Sequence, residues 1–220
     1  MNNIGNRLNG RLATALLCIL LAGVHVAAAP PVNPQSKITP ELIAFAKSLG
    51  DKNAPIIVED FTDFQCPGCR ILFLNTTAKV IDDYVVSGKV YLVHHDFPLE
   101  EEHPYAREAA QWANAAALVG KFEKVELALF TRQADWGATG KVEDVVASVL
   151  SPADMKKVRE FVNRPEIQEA IAQDITLGKQ RGVSMTPSLF VTHRGQRVAL
   201  PPGAIGYSVL KQYLDYLLKE

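Results

Sequence analysis

Cysteine is scarce in this chain. There are three among 220 residues, too few for a small scaffold stapled by several disulfides. Neither sign of charge is in excess: Lys and Arg number 23, Asp and Glu 24. Without a basic surplus there is little to neutralise phosphates, so no nucleic-acid partner is expected. Aromatic residues make up only 8%, yet hydrophobic residues reach 48%, which is enough to build a core and excludes wholesale disorder. The length suits one domain of ordinary size, or one carrying an insertion. Internal repeats and low-complexity blocks are absent. Long apolar runs are absent too, with one exception at the start of the chain.

Residues 1–29 read as a secretory signal peptide. Arg7 and Arg11 are basic, and no acid occurs in the stretch. An apolar run follows from Leu12 to Val26, ending in Ala27-Ala28-Ala29 ahead of Pro30-Pro31. The run is about 15 residues long, short of the roughly 20 that a membrane span needs. The short core and the small-residue site favour cleavage over an uncleaved anchor. Cys18 would leave with the signal, since Leu17 precedes it where a lipid-attachment site wants a small residue. The mature chain is then expected to be exported, not membrane-inserted, mildly acidic, and to keep only Cys66 and Cys69.

Five segments follow from the patterning. After the signal, residues 30–53 read as a Pro-rich leader and a short helix, with Thr39 as cap, Pro40 in the first turn and Glu41 at the positive helix end. Residues 54–97 hold a β-branched strand near Pro55 to Phe61, a helical pattern from Cys66 to about Val86, and a second strand from Lys89 to Phe97. Residues 98–182 are helical throughout, with helices expected near 104–119, 121–132 and 141–150, one opening at Ser151-Pro152-Ala153-Asp154, and a longer one from Pro165. Residues 183–220 return to strands at Ser188 to Thr192 and Arg197 to Leu200, then close with a helix over Ile205 to Leu218. This order predicts a small α/β domain with a mixed central sheet and an all-helical insertion.

Cys66-Pro67-Gly68-Cys69 lies where the first strand gives way to the first helix. The spacing brings the two sulfurs within bonding reach on one helical turn. Free N–H groups and the helix dipole at the N-terminus favour an anion on Cys66, so its pKa should be low and the inner Cys69 more shielded. Cys66 would make or receive a mixed disulfide, and Cys69 would resolve it. A purely structural disulfide is a weak alternative, because so short a loop constrains the unfolded chain very little. Zinc wants four ligands, and His94, His95, His103 and His193 lack paired spacing. No metal is therefore expected, and no cofactor beyond the redox-active Cys66–Cys69 pair.

Two further elements support exchange chemistry. Asp60 lies six residues before Cys66 in an otherwise apolar strand, where a buried acid needs a reason. Close to the inner sulfur it could take the proton of Cys69, with a pKa raised by burial. Glu59 is its neighbour, and alternation along a strand would send only one of the two inward. Thr186-Pro187 precedes the strand Ser188 to Thr192. It reads either as a plain strand start or as a cis-proline beside the disulfide, leaving the Thr186 backbone free to pair with an extended substrate. Pro67, with Phe61 and Phe64, offers an apolar rim for clients, although the two Phe suit core packing equally well. His94 and His95 are expected to split, one facing the core and one solvated.

These residues together resemble the DsbA-like branch of the thioredoxin superfamily. The strings F-T-D-F-Q-C-P-G-C-R at 61–70, D-F-P-L at 96–99 and G-V-S-M-T-P-S-L-F-V at 182–191 are similar to that branch. The resemblance covers nearly all of the mature chain. It implies a thioredoxin fold interrupted by a helical domain, and a periplasmic thiol:disulfide oxidoreductase that oxidises newly exported cysteine-containing proteins. It further implies that Cys66 is the exposed nucleophile and Cys69 the buried partner, that Asp60 matches the family's buried acid and that Pro187 matches its cis-proline. The expected partners are unfolded exported clients and a membrane quinone-linked protein that reoxidises the pair, with the chain acting as a monomer. Two positions depart from the pattern. Gly68 stands where the best-known oxidases carry histidine, and Thr186 where they carry valine. Both bear on redox poise, so a reductase or isomerase of the same fold remains an alternative, as does a non-enzymatic binding module with a structural Cys pair.

Overall fold

The computed structural model describes residues 37–220. The expected signal peptide, Cys18 and the Pro-rich start of the leader lie outside the described residues. Helix α1 (Pro40–Ala46) opens where the sequence places it. Thr39 takes the cap, its Oγ1 accepting the Leu42 N–H at 3.3 Å, and Pro40 occupies the first turn. Ser151 does the same for α8 (Pro152–Phe161), accepting the Asp154 N–H at 3.1 Å. Each cap satisfies an N–H that a helix start leaves without an internal partner.

Four strands form the sheet: β1 (Ile56–Thr62), β2 (Val90–Asp96), β3 (Ser188–His193) and β4 (Gln196–Ala199), in the order β2-β1-β3-β4. β1 runs parallel to β2, and β3 is antiparallel to both β1 and β4. The sheet is therefore mixed, as the order of elements predicts. Leu49, just past α1, exchanges backbone hydrogen bonds with Leu92 at 2.8 and 2.9 Å and guards the outer edge of β2.

Helices cover both faces. After β1 comes a rod spanning 67–85. It is built from α2 (Pro67–Leu72), a π-helical turn (Phe73–Thr77), α3 (Ala78–Val80) and a second π-helical turn (Ile81–Val85). Gly88, at φ +70°, ends it in the left-handed conformation that glycine adopts without strain. This rod and α10 (Tyr207–Leu217) pack Leu72, Val80, Tyr84, Leu210 and Leu214 against Val58, Leu92, Leu189 and Val191. Thr76 Oγ1 donates to the Ile205 carbonyl at 2.7 Å and fixes the rod to the start of α10. On the opposite face Phe61, Phe97, Val183 and Phe190 form a smaller core under α9 (Pro165–Gln180). A Cβ on Gly178 of α9 would lie 2.6 Å from the Phe97 ring, so glycine there lets the helix approach the aromatic layer.

Between β2 and β3 the chain is helical: α4 (Ala106–Ala117), α5 (Phe122–Thr131), α6 (Gln133–Trp136), α7 (Val142–Val149), α8 and α9. The short α6 falls in the gap between the helices expected at 121–132 and 141–150. Trp136, Leu129, Phe130, Ile167 and Ile171 are fully buried in the core that these helices build with Phe64, Cys69 and Phe73. That core reaches the Cys pair directly, so the helical region is packed onto the reactive loop.

The covered sheet overturns two expectations that rest on alternation. Glu59 and Asp60 are both buried, at 8% and 7% exposure, and so are His94 and His95 at 5% and 7%. Alternation does send neighbouring side chains to opposite faces, but at these four positions both faces are covered.

Candidate active site

Cys66 occupies the cap position of α2 with extended backbone (φ −69°, ψ 124°), and Pro67 takes the first turn. Pro67 suits that place because its fixed φ fits the helix and it has no N–H to leave unpaired. Cys69 then falls one turn inward, at 1% exposure against 8% for Cys66. Both are free thiols. The Cys69 thiol bonds to the Cys66 sulfur and is the largest influence on it; with the Thr186 side chain and the N–H groups of Cys69 and Gly68 it outweighs burial and lowers the Cys66 pKa to about 5. Cys69 is displaced the other way, well above its ordinary value, chiefly because burial disfavours its thiolate.

The Thr186–Pro187 peptide is cis. It sets the Thr186 carbonyl 3.4 Å from Cys66 Sγ, which donates to it as a thiol. The Thr186 hydroxyl is buried without a partner, and offers a donor once that sulfur is ionised. Gly68 fits under this loop. A Cβ there would lie 3.2 Å from Pro187 Cδ and 3.6 Å from Cys66 Sγ. The structure thus brings Cys66, Cys69, Gly68, Thr186 and Pro187 together. Pro67 stands exposed beside them, while Phe61 and Phe64 are core residues at 0% and 1% exposure.

Asp60 sits on the same face of the sheet as the rod that carries the cysteines. It pairs across the ladder with His94 on β2 and Leu189 on β3. One of its carboxylate oxygens is buried with no partner. Burial pushes its pKa up to about 7, helped by the nearby negative charge of Glu126 and opposed by His94 and His95. Its charge in turn helps to hold Cys69 protonated. A carboxyl poised near neutrality beneath a buried sulfur can hold or release a proton in the working pH range.

Other residues of the site carry no strong sequence signal. His94 lies 3.1 Å from both Glu126 and Asp96. Burial opposes its charge, but those two carboxylates raise its pKa to about 9. Lys47, buried at the C-terminal end of α1, bonds Asp96 at 2.5 Å and Asp174 at 2.7 Å. Gln133 of α6 donates to the Phe64 and Cys66 carbonyls at 2.8 and 3.1 Å, clamping the helical region to the reactive loop. A cavity of about 470 Å³ opens beside Pro67, lined also by Gln65, Arg70, His103 and Gln133. Lys47 and Gln133 depend on partners far along the chain, which no local pattern reports. Among the described residues no cluster of three or more His, Cys, Asp or Glu is arranged to hold a metal ion, and no helix is long and apolar enough to cross a membrane.

Comparisons with known proteins bear on the family and the fold. A family model described as Thioredoxin matches residues 46–205. A probable disulfide bond formation protein D of Bacillus cereus is 24% identical over 162 residues, spanning 69% of this chain and 73% of its own. A thioredoxin-like oxidoreductase from Silicibacter pomeroyi superposes with a TM-score of 0.63 at 28% identity, over 79% of this chain and 92% of the other. Oxidised BdbD from Bacillus subtilis superposes with a TM-score of 0.65 at 20% identity, over 79% and 93%. The chain belongs to the thioredoxin family. Within it, the mixed sheet with helices on both faces is that of the DsbA structures, and the chain is a DsbA-like thiol:disulfide oxidoreductase.

Proposed function

We propose that this oxidoreductase is an exported oxidase that introduces disulfides into newly secreted, cysteine-containing proteins. The observation that carries the reading is the asymmetry of the pair: Cys66 caps α2 with its Sγ 3.4 Å from the Thr186 carbonyl, Cys69 lies one turn inward at 1% exposure, and the acidity of Cys66 is raised while that of Cys69 is lowered. A low pKa makes Cys66 a good leaving group and stabilises the dithiol form, which drives oxidation of others. A client thiolate attacks Cys66 Sγ of the oxidised pair, and the Cys66–Cys69 bond breaks. Cys69 leaves as a thiolate and takes a proton, for which Asp60 is placed as donor and later acceptor. A second client thiolate attacks the client's own sulfur in the mixed disulfide. Cys66 departs as a thiolate, the client holds its disulfide, and two electrons rest on the Cys pair. Thr186 and Pro187 offer the backbone edge for an extended client, with Pro67 and Gly68 as its near neighbours.

The same reading assigns residues 1–29 to export toward the periplasm and residues 30–53 to a leader and short helix. It divides the rest into thioredoxin segments at 54–97 and 183–220 around a helical insertion at 98–182. It takes the mature chain to act as a monomer that a membrane quinone-linked partner reoxidises. A redox titration in glutathione buffers tests it. The expected potential lies well above that of the glutathione pool. A potential below it makes the protein a reductase, and a pair that never exchanges, or that binds zinc stoichiometrically, contradicts the enzyme reading. Cys69→Ala is expected to trap clients as mixed disulfides through Cys66; recovering none from an exporting cell would contradict the assigned roles.

A further inference from the structure

Asp63 lies three residues before Cys66 and its side chain is wholly shielded from solvent. The exchange chemistry above does not use it, yet its carboxylate is the most heavily bonded group of the reactive loop. Oδ1 accepts the N–H of Gln65 at 2.7 Å and the N–H of Cys66 itself at 3.2 Å. Oδ2 accepts the N–H of Leu99 at 2.9 Å and lies 2.8 Å from His103 Nδ1. A carboxylate is an acceptor only, so Nδ1 must carry the proton in that contact. The Asp63 N–H, meanwhile, points at Cys69 Sγ at 3.4 Å. One residue therefore touches both halves of the C-x-x-C turn.

Four donors around one side chain demand a carboxylate. An amide of the same size would turn its NH₂ toward either Leu99 or Cys66, setting donor against donor. The result is a buried negative charge one hydrogen bond from the backbone of Cys66. Such a charge opposes a thiolate on Cys66, and the His103 N–H on the far oxygen offsets it. His103 is 19% exposed in its side chain and lines the cavity beside Pro67, so the pair runs from the buried loop to the face open to a client. The other carboxylate that acts on the sulfurs is Asp60 on β1, which opposes a thiolate on Cys69, while Arg70 on α2 turns its Nε to the Phe130 carbonyl at 3.0 Å.

We propose that Asp63 and His103 are a positioning pair for the exchange reaction: the carboxylate holds the Cys66 loop in place, and its balance against the imidazole N–H sets how readily Cys66 ionises. This rests on the reading of Cys66–Cys69 as an exchanging pair and adds two residues to it. The test uses Asp63→Asn and His103→Phe, each read by ultraviolet thiolate absorbance against pH and by the equilibrium constant with glutathione. Removing the charge in Asp63→Asn should shift the Cys66 titration to lower pH and make the protein more oxidising. Removing the donor in His103→Phe should shift the titration to higher pH and make the protein less oxidising. Each change is on the order of tenfold in the equilibrium constant, or about 30 mV for a two-electron couple. Lost packing alone would lower the stability of both variants and leave both titrations in place. Unmoved titrations, or shifts in the same direction, would overturn the proposal. Should Asp63→Asn fail to fold, the sign of the His103→Phe shift decides. Failure of the wild-type pair to exchange with glutathione is a separate result, and counts against the exchange reading rather than against this pair.

Discussion

Glu59 and Asp60 are neighbours on one strand, equally buried, and opposite in charge behaviour. Glu59 faces α9 and is met by cations. Arg181 reaches Oε1 at 2.6 Å, His95 reaches it at 3.3 Å, and Arg197 lies 3.2 Å from Oε2. Burial alone would raise its pKa, but the bonds to His95 and Arg181 win and bring it to about 2. Asp60 faces the cysteine rod with one oxygen unpartnered, and its pKa rises to about 7. Burial is common to both and so does not distinguish them; the partner set does. A carboxylate wrapped in donors is held ionised and ties elements together, whereas one left without them stays available for a proton.

The largest effect is expected on the Glu59 side of the sheet. Lys47, Asp96, Asp174, His95, Glu59 and Arg181 form one continuous chain of contacts. Lys47→Met strips the cation from two buried carboxylates. It should destabilise the fold by about 3–5 kcal/mol, the scale of removing one partner from a buried ion pair, and chemical denaturation will read it.

Next comes Asp60→Asn. Its pKa is raised from 3.8 to about 7, so the folded chain holds a proton that the unfolded chain has lost. The associated stability is present below pH 3.8 and disappears as pH rises through about 7. The full window is worth about 4 kcal/mol at most. The expected outcome is that denaturation midpoints of the wild type fall between those pH values by an amount that the variant does not show. The variant should also resolve mixed disulfides more slowly in stopped-flow exchange.

Glu59→Gln should have a smaller effect, about 1–3 kcal/mol, since an amide keeps part of the hydrogen bonding to Arg181 and His95. Its rate of disulfide exchange should stay near that of wild type, which separates a tie from a proton carrier. The redox state supplies a further test. The lowered pKa of Cys66 stabilises the reduced fold above the ordinary thiol value of 9.0, and that advantage fades as pH falls through about 5. The gap in melting temperature between reduced and oxidised protein should therefore narrow steadily over that range.

Much of this comparison is hidden from the sequence. The Cys66–Cys69 turn is legible because the β-branched run from Ile56 ends just before it and Pro67 can only begin a helix. Asp60 is legible as an acid where an acid is costly. Its neighbour is not, because alternation presumes one wet face, and here α9 covers one face while the rod of α2 and α3 covers the other. Asp63 escapes notice for another reason. Two of its partners, Leu99 and His103, lie 36 and 40 residues away, and an aspartate after a strand reads as an ordinary turn residue. Lys47 meets Asp174 across 127 residues, a pairing that no local pattern reports. The helical segments between β2 and β3 are readable from their caps and glycines. That they pack onto the reactive loop through Gln133 is not.

One strand-to-helix turn gives its two sulfurs opposite acidities. Thiolate absorbance of the reduced protein, followed from pH 3 to pH 10, measures this directly. A single ionisation near pH 5 is expected from Cys66, with Cys69 silent until well above its ordinary value. Two thiols titrating together near their ordinary value would contradict it.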